Sequence, residues 1–576
     1  MLKKILLVTT FSIFYVSSIF SQTSAPVNPG SSAIRINQLG YYPNSKKILV
    51  VADSPASSFE VKTLDGKSVF KGQLSTGKTW DKSGEEIQTG DFSKLMTPGK
   101  YVIVLNNSVV SHPFSINPDL YKEVGIAAVK TFYLQRASMP IDEKYAGKYK
   151  RVSAYPDTAC ILHPSTGHNS GKISSPGGWY DAGDYNKYVV NAGITLGLLM
   201  QLHEVNKDWL SDGMLNIPES GNKVNDLLDE IRYELNWLIT MQDADGGVFF
   251  KLTEPNFNSF EMPEKSTAVR YVVGKSTTSA LCFAAMLAQA ARVYRDIDQQ
   301  FANSLLPRAE KAWNWAVANP SVEFKNPKDI MTGEYGDNDF KSEFFWAACE
   351  LFTTTGNEEY HKAVLANEKP FEFVIGDNWR YYLPNLGYYT MLSSNCHVPQ
   401  IEKDNAKKGL LKVADSLLAR IEKIPYRIPV DSFVWGSNSD FMDVAIIFAY
   451  AHKYTNDAKY LTGMLETTDY IFGKNANKLS YVTGFGEVAA RNPHQRLSSA
   501  DGIDDPLPGF LVGGPNQFRQ DENGESWGVK YSCHKPACSY LDNTGSWASN
   551  EIAINWNASL AFVTAYIENE MNKAHK

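Results

Sequence analysis

Cysteine is scarce: six in 576 residues, far too few for a disulfide scaffold to hold a chain of this length. A basic stripe is also missing. The 56 Lys and Arg and 63 Asp and Glu are interspersed, the formal net charge is −7, and nothing marks a nucleic-acid binder. Beyond the N-terminal segment no apolar run is long enough to span a bilayer. No motif recurs at a fixed period, which disfavours a solenoid. One metal-site signature is incomplete. His203-Glu204 has no second His four residues after the first, so it is not the His-Glu-x-x-His zinc helix. Rings, by contrast, are plentiful. With 12 Trp, 30 Tyr and 29 Phe, some aromatics are expected to do more than pack a core.

The N-terminus reads as an address. Lys3 and Lys4 precede an apolar run over residues 5–20, diluted by Ser and Thr, that ends near Ser21-Gln22. This is a secretory signal peptide over residues 1–21, and with no Cys after it a lipid anchor is not supported. The expectation is a secreted or periplasmic protein. Cys282 and Cys349 fall in apolar helical patterns and read as buried thiols. Cys533 and Cys538 read as a disulfide or free thiols, because with His534 they offer too few ligands for a metal.

Two textures divide the rest. Over residues 33–116, short apolar segments alternate with turns such as Asp65-Gly66 and Pro98-Gly99, the pattern of a small β-sandwich. Residues 121–572 are helical. Val224, Leu227, Leu228, Ile231, Leu235 and Leu238 recur at one helix face, and about twelve such segments follow one another. Six helical hairpins closed into a ring need that many. Between them lie long Gly- and Pro-rich segments at 138–191, 242–275 and 473–548, rich in Trp, Tyr and His and expected to build the functional face.

Those segments hold the candidate chemistry. In Gly177-Gly178-Trp179-Tyr180-Asp181-Ala182-Gly183-Asp184, small residues let two carboxylates turn into one space, where they could grip a water and take its proton. A solvated turn or a partial calcium loop would use the same residues. Glu551 follows Ser549-Asn550, a helix-capping pair that places it in a first helical turn. From this segment alone, capping is the simpler role, and a general acid beside Trp556 the sharper one. His494 and Arg496, in Arg491-Asn492-Pro493-His494-Gln495-Arg496, can both reach a polar ligand or lie on the surface.

Taken together, Gly-Gly-Trp-Tyr-Asp-Ala-Gly-Asp, Asn492-Pro493-His494-Gln495-Arg496 and Asn550-Glu551-Ile552-Ala553-Ile554-Asn555-Trp556-Asn557 resemble glycoside hydrolase family 9, the inverting cellulases. The segment Ile34-Arg35-Ile36-Asn37-Gln38-Leu39-Gly40-Tyr41 resembles the entry to the immunoglobulin-like domain that often precedes them. The resemblance implies an (α/α)6 barrel after an all-β immunoglobulin-like sandwich. It implies that Asp184 is the general base, Asp181 helps hold the water, and Glu551 is the general acid. By the same resemblance His494 and Arg496 bind the sugar beside the scissile bond. Trp179, Trp435, Trp547 and Trp556 could stack on sugar faces. Inversion needs acid and base about 6.5–9.5 Å apart.

One departure concerns zinc, which many relatives hold with two Cys and two His. Here Cys160 matches one ligand, but Ile161, Ala137 and Tyr180 stand at the others, so no zinc is expected. No cofactor is required for the reaction, although an oxygen-rich loop at Asp337, Asp339 and Glu343 could hold structural calcium. The implied activity is endo-cleavage of β-1,4-glucosidic bonds in cellulose or a related β-glucan. The alternatives are a xyloglucan-specific endoglucanase, an exo-acting β-glucosidase or glucosaminidase, and a glycan-binding protein without catalysis.

Overall fold

Alternating strand residues in the first hundred positions become two packed sheets. The computed structural model describes residues 33–106, 108–207, 209–366, 372–373, 382–393, 397–522 and 528–573. The signal-peptide reading of residues 1–21 lies outside them. One sheet orders Ile34–Arg35, Ile48–Ala52, Glu85–Asp91 and Lys78–Trp80. The other orders Gly40–Tyr41, Phe114–Ile116, Gly99–Leu105, Ser58–Thr63 and Ser68–Gln73, with Val109–Val110 beside Gly99–Leu105. Asp65-Gly66 makes the hairpin turn, with Gly66 at φ +90°.

The strand Ile48–Ala52 is apolar throughout because both of its faces are covered. Leu49 and Val51 point into the sandwich core with Phe59 and Val61, while Val50 and Ala52 join Trp80 and Ile87 in the core of the helical domain. Polar contacts complete the join. The Asn37 amide donates to Asp469 at 2.9 Å and to the Tyr121 hydroxyl at 2.7 Å, and the Tyr42 hydroxyl donates to Glu568 at 2.6 Å.

Among the described residues, twelve helices of eight residues or more follow. Six form an inner ring: Val189–Val205, Thr277–Val293, Lys341–Thr355, Leu383–Leu392, Ser437–Thr455 and Ile554–Lys573. Tyr389 stacks on Tyr450 at 3.9 Å across the junction of the fourth and fifth. Each inner helix packs on an outer one: Asp226–Thr240, Gln299–Ala318, Glu358–Leu365, Gln400–Lys423, Ala458–Ile471 and Lys122–Leu134 respectively. The division follows from pattern. Thr277–Val293 is mostly apolar or small and almost wholly buried, whereas Gln400–Lys423 buries one face, Glu402, Ala406, Leu410, Ala414, Leu417 and Ile421. This is an (α/α)6 barrel.

The long connections are more ordered than their Gly and Pro content suggests. Cys160–Leu162, Lys172–Ile173, Lys187–Tyr188, Phe249–Thr253 and Tyr271–Lys275 pair into a five-stranded sheet, which delivers the chain directly into helix Val189–Val205. Cys533 and Cys538 are disulfide-bonded, with Cα atoms 5.7 Å apart, and Cys160, Cys282 and Cys349 are buried thiols.

Candidate active site

The three motif segments meet at one end of the barrel. Main-chain bonds tie them: Ile554 N–H donates to the Asp181 carbonyl at 2.9 Å, Arg496 N–H to Gly183 at 3.1 Å, and His494 N–H to Asn550 at 2.8 Å. Gly177 and Gly178 take left-handed φ values of +82° and +77°, which turn the chain toward the acids. Gly183 is required for a different reason. A Cβ there would overlap the His494 carbonyl, so only glycine lets these two segments touch.

Asp181, Asp184 and Glu551 line one cleft of about 850 Å³. The Asp181 carboxylate accepts from Asn191 at 2.7 Å and from the Tyr335 hydroxyl at 2.9 Å. Burial, then the nearby Asp184 charge, pushes its carboxyl up to about 8. Asp184 Oδ2 accepts from Asn186 at 2.5 Å and from Tyr188 at 3.1 Å, while Oδ1 has no hydrogen-bond partner among the described residues. Burial raises Asp184 too, but the guanidinium charges of Arg496 and Arg270 oppose that rise. Glu551 keeps part of its surface open to the cleft. Its surroundings hold its carboxyl well above the usual range, first by burial and then by the Asp184 charge. Three acids pushed up by unequal amounts can divide into proton donor and proton acceptor.

Glu551 does not occupy a first helical turn. The short helix Trp547–Asn550 ends before it, Glu551 is extended at φ −69° and ψ 158°, and the long helix begins at Ile554. Asn550 is occupied elsewhere: its side chain meets the Tyr540 hydroxyl and the Asn492 carbonyl, both at 2.5 Å.

The expected sugar-binding residues separate. Trp435, 46% exposed, lines the cleft and meets Trp547 edge-on at 4.8 Å, and Trp556 lines it beside Gly436. Trp179 is a correction. It is 1% exposed, packs against Phe132 at 4.8 Å, and donates its indole N–H to Glu230 at 3.1 Å, so it belongs to the core. His494 and Arg496 are largely buried, at 7% and 4% exposed, and their hydrogen bonds go to main-chain carbonyls. The His494 ring bonds the Thr544 carbonyl at 2.7 Å, and burial pushes its imidazole down to about 4. Arg496 gives its guanidinium to the carbonyls of Gly183 at 2.7 Å and Asn258 at 2.8 and 2.9 Å. Both sit directly behind the acids.

Other residues were not singled out from the sequence. Tyr335, from the loop before helix Lys341–Thr355, reaches Asp181, and its flanking Gly333 and Gly336 are the signal that could have found it. Exposed Met331, Phe257 and Phe518 add apolar surface to the rims. Asp337 and Glu343 are buried, and no group of three or more His, Cys, Asp or Glu among the described residues is arranged to hold a metal ion.

A model of glycosyl hydrolase family 9 matches residues 121–564. The chain belongs to that family. A model of the cellulase N-terminal ig-like domain matches residues 30–109 ahead of it. The family-9 chain is 39% identical to a xyloglucan-specific endo-beta-1,4-glucanase of Bacteroides ovatus, over 97% of this chain and 98% of that one. It is 33% identical to a cellulose 1,4-beta-cellobiosidase of Acetivibrio thermocellus, covering 93% of this chain and 67% of that one. A solved family-9 structure from Bacteroides ovatus superposes with a TM-score of 0.86 at 38% identity, covering 94% of this chain and 99% of that one. The protein is thus a glycoside hydrolase. Among the described residues no helix is long and apolar enough to cross a membrane.

Proposed function

We propose that this family-9 hydrolase is a secreted endo-β-1,4-glucanase that inverts configuration, and that xyloglucan is the first polymer on which to test it. The observation that carries the reading is the convergence of Asp181, Asp184 and Glu551 on one cleft with their carboxyls raised. In the reaction, Asp184 Oδ1 takes a proton from a water that Asp181 helps to hold. The water oxygen attacks the anomeric carbon while Glu551 passes its proton to the departing glycosidic oxygen. Asp184 ends protonated and Glu551 ionised, and exchange with solvent resets both. No metal enters these steps.

Exposed Trp435 and Phe518, with Met331 and Phe257, offer the rings and apolar edges on which flat sugar faces and branches can rest. The 39% identical relative that is xyloglucan-specific supports a branched glucan over plain cellulose. The test is product analysis on xyloglucan, cellulose and mixed-linkage glucan, with proton NMR in the first minutes. Oligosaccharides that appear first as α-anomers are expected. A β-anomer would overturn inversion, and monosaccharide as the main early product would move the reading to an exo-acting glucosidase.

A further inference from the structure

Asn186 lies between Asp184 and the strand Phe249–Thr253, wholly buried. Its amide nitrogen donates to Asp184 Oδ2 at 2.5 Å. Its amide oxygen accepts the Glu254 N–H at 2.9 Å, lies 2.9 Å from the Thr253 hydroxyl, and meets Arg270 Nη1 at 3.5 Å. A main-chain N–H and a guanidinium N–H can only donate. The oxygen of Asn186 must therefore face them, and its NH₂ must face Asp184. Arg270 is itself braced, by Asp157 at 3.1 Å, and Asp157 by Lys187 at 2.9 Å.

We infer that Asn186 is a positioning residue for the general base. Its locked amide holds Asp184 Oδ2, so that Oδ1 is the oxygen left to receive the proton from water. This rests on the reading of Asp184 as the base. A hydrogen bond to the ionised form also favours ionisation, and an amide supplies it without titrating. The charged and titratable groups facing Asp184 are Asp181 on its own turn and Tyr188 just beyond. Lys251 faces it from the strand Phe249–Thr253, and Arg270 from the residue before Tyr271–Lys275. Tyr335, Arg496 and Glu551 complete the surround.

Asn186→Asp separates this role from a structural one. It keeps the oxygen that accepts from Glu254 and Arg270, and replaces only the donor aimed at Asp184. The expected result on the full chain is folded protein with KM within about twofold and kcat lower by about tenfold or more. The acid limb of the pH profile moves up by about one unit, because Asp184 loses a donor to its ionised form and gains a like charge. Asp184→Asn is assayed beside it. If Asp184→Asn is inactive while Asn186→Asp keeps both turnover and acid limb, the inference is overturned and the base reading stands. If Asp184→Asn turns over normally, the base reading fails and takes the inference with it. Should Asn186→Asp not fold, Asn186→Ala carries the same readouts, and an unmoved acid limb with unchanged kcat overturns the inference.

Discussion

Arg496 Nη1 donates to the carbonyl of Gly183 at 2.7 Å, and the Arg496 main-chain N–H meets the same oxygen at 3.1 Å. Both bonds hold the turn that separates Asp181 from Asp184, and the remaining guanidinium bonds go to Asn258. The residue that the family resemblance places on the sugar is therefore committed to main-chain oxygens behind the acids. Arg496→Lys keeps the charge but cannot fork between two carbonyls. Turnover should fall by about ten- to a hundredfold with KM within about threefold. A tenfold rise in KM at unchanged kcat would instead return Arg496 to the substrate.

Glu551 is useful as an acid only while protonated, and its raised carboxyl extends that state toward neutral pH. Activity should fall as pH rises through its pKa, giving the alkaline limb. Glu551→Gln should abolish that limb and reduce turnover on glucan by about 10²–10⁴-fold. On dinitrophenyl cellobioside, whose leaving group departs without a proton, the same variant should lose less than about tenfold. Equal losses on both substrates would remove Glu551 from the proton-donor role.

Trp179 and Trp435 make opposite predictions from the same residue type. Trp179 fills the core between Phe132 and Glu230. Trp179→Phe should cost about 1–3 kcal/mol of stability and leave KM unchanged. Trp435 stands 46% exposed in the cleft, so Trp435→Ala should leave the melting temperature within about two degrees and raise KM for the polymer several-fold. Calorimetry and steady-state kinetics on both variants check the pair. A KM effect at Trp179 would reverse its assignment.

What could be read in advance depends on whether a segment has a period. The barrel helices repeat Leu, Ile and Ala at helical spacing over two turns or more, so their number is written in the chain. The strand Ile48–Ala52 is likewise legible as a strand, although its burial on both faces appears only once the domains dock. Around the acids the period is lost. Two left-handed glycines precede Trp179, and no alternation rule says whether its ring turns to the cleft or to the core. Ser549-Asn550 carries a real capping composition, yet Asn550 spends its side chain on Tyr540 and Asn492, leaving Glu551 extended. Residue identities at the site are local, and the partners that give them roles, such as Tyr335 for Asp181, lie 154 positions away.

Asp443 gives a pH dependence that acts on folding. It lies on the inner helix Ser437–Thr455, is 9% exposed, and accepts from Ser559 at 2.6 Å and Ser439 at 3.4 Å. Burial pushes its carboxyl up to about 7, while in the unfolded chain it returns to the ordinary carboxylate range. The folded state therefore binds this proton more tightly than the unfolded state does. The stability so gained is full below the unfolded value and is lost as pH rises through about 7, where folded Asp443 must ionise. Asp443→Asn keeps the shape and removes the proton. At pH ~4 the variant should melt close to the parent, and by pH ~8 it should be the more stable by on the order of a few kcal/mol. Thermal melts across that range decide it. Parallel curves for the two proteins would mean that Asp443 ionises at the same pH folded and unfolded, and that the serine hydroxyls around it compensate fully for its burial.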